Sequence, residues 1–202
     1  MPVMPRLSGL ALLAALALSS PAGAQNTPCG GSFNAFVDGL KAEALGQGLP
    51  RDVVDRFFRT VRQDQAVLQR DRGQGFFTRP FIEFSRQLIS QNRLDRGRQM
   101  AQRHSALFER ARQQFGVPPA IMLSFLAFET DYGSFQGDFN TANALVTLAH
   151  DCRRPQLFRP QVLAMIELYR RGMLDPATTT GAWAGEIGMV QMLPTDILRL
   201  AV

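Results

Sequence analysis

Residues 115–133, FGVPPAIMLSFLAFETDYG, carry the reading on which the fold turns. Gly116 closes the preceding helix, because glycine takes the left-handed conformation that ends a helix without strain. Pro118 and Pro119 open the next one, at positions where a missing amide proton is tolerated. Ile121, Met122, Leu123, Phe125, Leu126 and Phe128 make this helix apolar nearly all round. Such a helix is expected to be central and buried. Its last turn delivers Glu129, Thr130, Asp131, Tyr132 and Gly133.

Working outward, helical periodicity dominates. Upstream, residues 95–115 place Met100, His104, Leu107, Phe108, Ala111 and Phe115 on one stripe. That pattern predicts a single long helix, with His104 as a core or boundary residue rather than a catalytic one. Phe81, Ile82 and Phe84 are expected to point inward from a short helix over 81–88, after a loop through Gly73, Gly75 and Pro80. Nearer the N-terminus, Phe33, Phe36, Val37 and Leu40 form one apolar face behind Ser32 as a candidate cap, and Val53, Val54, Phe57, Phe58 and Val61 form another. Downstream, helices are expected over 141–149 and 160–171, with a last helical segment from about 188. No stretch alternates with period two for long, so the fold class is mainly α.

Residues 1–24 have the three parts of an export signal: Arg6, the apolar run 7–18, and the small residues Ala22, Gly23 and Ala24 before a cleavage point. The apolar run is too short to span a membrane. The expected product is one exported domain over 25–202, without stable membrane insertion. Arg6 is the one charged residue of the signal, so a net charge of +5 becomes +4. The arginines are interspersed with acids along helical stretches, which describes a solvated surface rather than a nucleic-acid footprint. A mild positive charge suits an anionic cell-wall polymer. Cys29 and Cys152, the two cysteines, are a candidate disulfide in an oxidising compartment, with two buried free thiols as the alternative. His104 and His150 stand apart from other ligand types, so no metal and no cofactor is expected.

Glu129 is the leading catalytic candidate. A carboxyl at the end of an apolar helix, followed by a turn at Gly133, can sit at a cleft mouth with one side against hydrophobic groups. Desolvation there would favour the protonated acid, able to donate to a leaving oxygen. The competing reading is a surface Glu at a helix C-terminus, where the helix dipole disfavours an acid. Glycoside cleavage usually employs a second carboxylate. Asp131, Asp138, Asp151, Glu167 and Glu186 are the nearby candidates, and none stands out. A second constellation, residues 181–195 (GAWAGEIGMVQMLPT), combines small residues that admit a close ligand with Gln191, both donor and acceptor for sugar groups. Trp183 within it is either a sugar platform or, more in keeping with an isolated Trp, a packing residue.

Together these segments resemble the lytic murein transglycosylase B family. The stretches are 36–48 (FVDGLKAEALGQG), 93–97 (RLDRG), 115–119 (FGVPP), 128–133 (FETDYG), 143–151 (NALVTLAHD) with Arg153, Arg154, Phe158 and Arg159, and 181–195. The resemblance implies a lysozyme-like helical fold acting on peptidoglycan glycan strands in the periplasm. It implies cleavage of the MurNAc-β-1,4-GlcNAc bond without water, leaving 1,6-anhydro-MurNAc ends, with Glu129 as acid and then base and Gln191 as a substrate contact. The substrate's acetamido group would replace the second carboxylate. The chain departs from the family pattern at Ala182, where Ser is common, at Glu186, where Ala is common, and in Gln191-Met192-Leu193-Pro194-Thr195. Family members continue beyond the position of Val202, so the C-terminal part of the family domain is expected to be missing. Two rival readings follow: an inactive or weak peptidoglycan-binding remnant, and a helical periplasmic interaction protein.

Overall fold

The computed structural model describes residues 28–73 and 79–200. The expected signal segment lies outside them. The order is α1 (Phe33–Gly46), α2 (Arg51–Phe58), α3 (Gln65–Arg72), α4 (Phe81–Leu88), α5 (Gln91–Arg103), α6 (Ser105–Phe115), α7 (Pro119–Thr130), β1 (Phe139–Asn140), α8 (Thr141–His150), α9 (Pro155–Arg170), β2 (Thr180–Gly181) and α10 (Pro194–Leu200). The two short strands pair antiparallel, Phe139 opposite Gly181. The fold is mainly α, as the periodicity predicts.

The centre of the core is α8, not α7. Every residue of α8 from Thr141 to Ala149 is buried. Its alanines and threonines are small enough to let neighbours approach on all sides, and its polar side chains serve the chain that wraps it. Asn143 Oδ1 accepts the Arg62 amide at 2.9 Å and Thr147 Oγ1 accepts the Asp64 amide at 2.9 Å. A buried polar group so paired avoids the desolvation cost of an unmade bond. Around α8 pack Phe36 and Leu40 of α1, Val54 and Phe57 of α2, Val67 of α3, and Phe158, Val162, Met165 and Ile166 of α9. Helix α3 escapes the sequence patterns because its apolar residues, Ala66, Val67 and Leu68, are adjacent rather than helically spaced; Asp64 caps it, accepting the amides of Ala66 and Val67. Cys29 and Cys152 are joined, with their Cα atoms 5.3 Å apart, tying the entry of α1 to the segment after α8. His150 fills this corner as a structural residue, between the rings of Phe33 and Phe36 and bonded to the Gly31 carbonyl oxygen.

Four expectations need correction. Helix α7 is uncovered over much of its surface among the described residues: Phe125 is 58% and Phe128 53% exposed, and only Ala127 and Thr130 are buried. An all-apolar helix has no intrinsic inward face, and here its main helical partners are α5 and α6. In α4, Phe81 and Ile82 point outward, and of the three residues expected to face inward only Phe84 is half-buried. The predicted long helix over 95–115 is two, broken at His104, whose ψ of 25° leaves the helical region. His104 is exposed there rather than part of a core stripe. Finally, residues 188–193 are turn and bridge, with Ile187 paired to Met192, and the last helix begins at Pro194.

Candidate active site

The residues after Glu129 build an abrupt reversal at the end of α7. Asp131 and Tyr132 both adopt left-handed backbone, φ 50° and 59°, ahead of Gly133 at 85°. Non-glycine residues persist in that region only when their surroundings hold them. Arg93 and Arg96 of α5 provide the hold: both pair with the Asp131 carboxylate, and Arg96 also donates to the Asp131 carbonyl oxygen at 2.8 Å. Tyr132 donates its hydroxyl to the Arg93 carbonyl oxygen at 3.0 Å. Gly97 makes this approach feasible, since a Cβ there would stand 2.4 Å from the Tyr132 hydroxyl. The RLDRG stretch is therefore the scaffold of the ETDYG turn.

Thr130 joins this turn to the loop bearing Gln191. Its side chain, 1% exposed, donates to the Met189 carbonyl oxygen at 2.7 Å and accepts the Gly133 amide at 2.9 Å. The loop is itself fixed at its base. Gly181 lies against the Glu186 carbonyl, where a Cβ would stand 2.1 Å from the oxygen, and the Ala182 amide donates to that same oxygen at 2.9 Å. Gln191 also takes left-handed backbone, φ 52°, and its amide nitrogen donates to the carbonyl oxygens of Gly188 (2.9 Å) and Gln136 (3.3 Å). Trp183 packs against the core, in keeping with a packing residue.

Among the carboxyls weighed as a second acid, the structure separates Glu186 from the rest. Glu167 is held at about 2, first by hydrogen bonds from Arg170 and further by Arg171. Asp131 is raised by burial but lowered more by Arg93 and Arg96, for a net fall. Asp151 pairs with Arg72 at 3.4 Å. Glu186 moves the other way. Burial on the loop raises its pKa, and the charge of Glu129 raises it further; its own amide, Arg154 and the Ala184 amide oppose. Glu129 itself is exposed, so the hydrophobic cover expected at its side is not formed by the described residues.

Arg154 is positioned by Asp71 of α3, 2% exposed and paired with both Arg153 and Arg154. The Arg154 guanidinium also lies over the Phe158 ring at 5.0 Å. A cavity of about 1060 Å³ lies elsewhere, along α1 and α9. Its charged groups are already committed in the Arg159–Glu43 and Glu167–Arg170 pairs, so it reads as a packing groove. Among the described residues, no group of His, Cys, Asp and Glu is arranged to hold a metal ion.

Residues 32–202 match the family described as Transglycosylase SLT domain, and the chain belongs to that family. SltB3 from Pseudomonas aeruginosa, solved in complex with NAG-anhNAM-pentapeptide, is similar in structure, with a TM-score of 0.79 and 30% identity. That alignment covers 86% of this chain and 46% of SltB3. The Escherichia coli lytic transglycosylase SLT35 shares the fold, with a TM-score of 0.76 and 22% identity over 89% of this chain and 59% of that one. The membrane-bound lytic murein transglycosylase B of Escherichia coli K12 is 26% identical over 123 residues, 60% of this chain and 34% of that protein. The chain thus spans about a third to three-fifths of the length of these relatives.

Proposed function

We propose that this chain carries the catalytic acid of a peptidoglycan lytic transglycosylase, exported to the periplasm after cleavage following residue 24. The observation that carries the reading is the staple from Thr130 to Met189, which ties Glu129 and the Gln191 loop into one site. In the reaction, Glu129 in its acid form gives its proton to the oxygen linking MurNAc C1 to GlcNAc, and that bond breaks. The acetamido oxygen of the same MurNAc supports the developing positive charge at C1. The MurNAc 6-hydroxyl oxygen then attacks C1 while Glu129, now a carboxylate, takes the hydroxyl proton. The acid is restored, no water is consumed, and a 1,6-anhydro-MurNAc end results. One carboxyl thus serves as acid and base in turn. Gln191, half-buried and stiffened by its left-handed backbone, is the proposed sugar contact.

Digestion of purified peptidoglycan by residues 25–202 and by Glu129→Gln, with mass analysis of the muropeptides, tests this. Anhydro-muramyl products from the first and none from the second are expected. Hydrated reducing ends would indicate a hydrolase instead. Absence of product from a folded chain would favour a glycan-binding role.

A further inference from the structure

Residues 133–137 form an arch that joins the Glu129 turn to the Gln191 loop, and it is fixed along its length. Gly133 lies against the Met189 side chain, where a Cβ would stand 3.0 Å from the methyl carbon. Ser134 Oγ accepts Arg96 at 2.6 Å. The Phe135 amide donates to the Thr130 carbonyl oxygen at 3.0 Å, and the Gln136 carbonyl oxygen accepts the Gln191 side chain at 3.3 Å. Gly137 is pressed onto the Gly181 carbonyl, with no room for a Cβ. On this fixed arch the Phe135 side chain is 74% exposed. One exposed phenylalanine is ordinary on a protein surface. This one stands between both candidate contacts: its own amide is bonded to the neighbour of Glu129, and the next residue is bonded to Gln191. Other aromatic side chains of the neighbourhood are engaged. Tyr132 is bonded to Arg93, Phe128 lines a groove with Ile89 and Leu94, and Phe139 and Trp183 pack against the core. Met189, which meets the arch at Gly133, is exposed and apolar as well.

We infer that Phe135 is a sugar-stacking residue of the site: its ring receives the C–H face of a pyranose in the glycan strand whose polar groups meet Gln191. The inference rests on the transglycosylase reading for the identity of that glycan. A pyranose in a β-1,4-linked strand carries its hydroxyl and acetamido groups around the rim, and its axial C–H bonds leave the two faces apolar. The negative face of a phenylalanine ring attracts those hydrogens, and the contact removes apolar surface from water. Because the backbone of the arch is held in advance, little beyond the side-chain torsions of Phe135 has to be ordered on binding.

The test measures binding apart from cleavage. A soluble tetrasaccharide of alternating GlcNAc and MurNAc is titrated calorimetrically into Glu129→Gln. The same titration is made with that chain carrying Phe135→Ala, Phe135→Leu or Phe135→Tyr, each checked for folding by circular dichroism. Phe135→Ala and Phe135→Leu should raise Kd about tenfold, the loss expected for one aromatic contact, while Phe135→Tyr stays within about twofold. Sugar C–H protons should shift upfield in the complex through the ring current, and Phe135→Leu should abolish that shift. An unchanged Kd in Phe135→Ala overturns the contact, and a Phe135→Leu chain that binds as well as Phe135→Tyr overturns the stacking. Muropeptide release from sacculi by the unsubstituted chain is scored separately. Release without Phe135-dependent binding overturns this inference alone. Phe135-dependent binding without release overturns the transglycosylase reading and keeps the stacking, and the absence of both overturns both.

Discussion

Helices α7 and α8 are both rich in apolar residues, yet they live in opposite surroundings. Helix α8 is buried from Thr141 to Ala149, and its Asn143 and Thr147 side chains are satisfied by the backbone of the α2–α3 connection. Helix α7 leaves Ile121, Phe125 and Phe128 exposed, and is held at its end by polar hooks: Arg93 and Arg96 on Asp131, and Thr130 on Met189. One part of the molecule is stabilised by burial of apolar area, the other by directional bonds at the site. The glycan chemistry is proposed to hang on the second. That division predicts mutations that damage stability without touching the site, and the reverse.

The largest contrast is within matched truncations. Leu145→Ala on α8 removes a fully buried side chain on which Gly185 rests, and should cost about 2–5 kcal/mol in urea unfolding. Phe125→Ala on α7 removes a larger but 58% exposed side chain, and should change stability by about 0.5 kcal/mol or less. Equal losses would break the comparison by showing that α7 is buried in solution. Next, replacing Cys29 and Cys152 together by Ser opens a link across 123 residues, with an expected loss of about 2–4 kcal/mol. Because the bond anchors the α1–α8 side, muropeptide release by the fraction that remains folded should be retained.

A change of similar chemical size at the site should do the opposite. Thr130→Val keeps the shape but leaves the Met189 carbonyl and the Gly133 amide without their partner. The stability cost should be about 1–3 kcal/mol, that of buried polar groups left unpaired. Release of anhydro-muropeptides should fall at least tenfold, because the Gln191 loop loses its bond to the Glu129 turn. If release persists at the wild-type rate, the staple has no part in positioning the site.

How much of this was legible beforehand follows from the same contrast. The α-helical class, and α1 and α2, came from apolar spacing, which reports faithfully on a helix with one inward face. It failed for α7, where Phe125 and Phe128 are apolar on every side and spacing carries no direction. It failed for α4 for a different reason: Phe81 and Ile82 find no partner among the described residues. Glu129 and Gln191 stood out from their local neighbourhood. The roles of Arg93, Arg96 and Gly97 did not, because each acts on a turn more than 30 residues away.

The smallest expected effect tests where ion pairs stop mattering. Glu167, on the last turns of α9, binds Arg170 and Arg171 at 2.6 and 2.7 Å, and both arginines are about half exposed. These hydrogen bonds hold its carboxylate at about 2, below its ordinary 4.5. The folded state therefore binds this proton less tightly than the unfolded chain does. Its contribution is complete above about 4.5 and disappears as pH falls through about 2. Glu167→Gln should lower stability by about 0.5 kcal/mol at neutral pH, the size of exposed pairs of this spacing, and less in added salt. Near pH 2 the variant and the wild type should converge in thermal unfolding. A loss of several kcal/mol at neutral pH would instead mean that this pair is shielded from water. The groove along α1 and α9 would then be a closed interior rather than an open surface, and the burial ascribed to the α8 side would extend further than the described residues show.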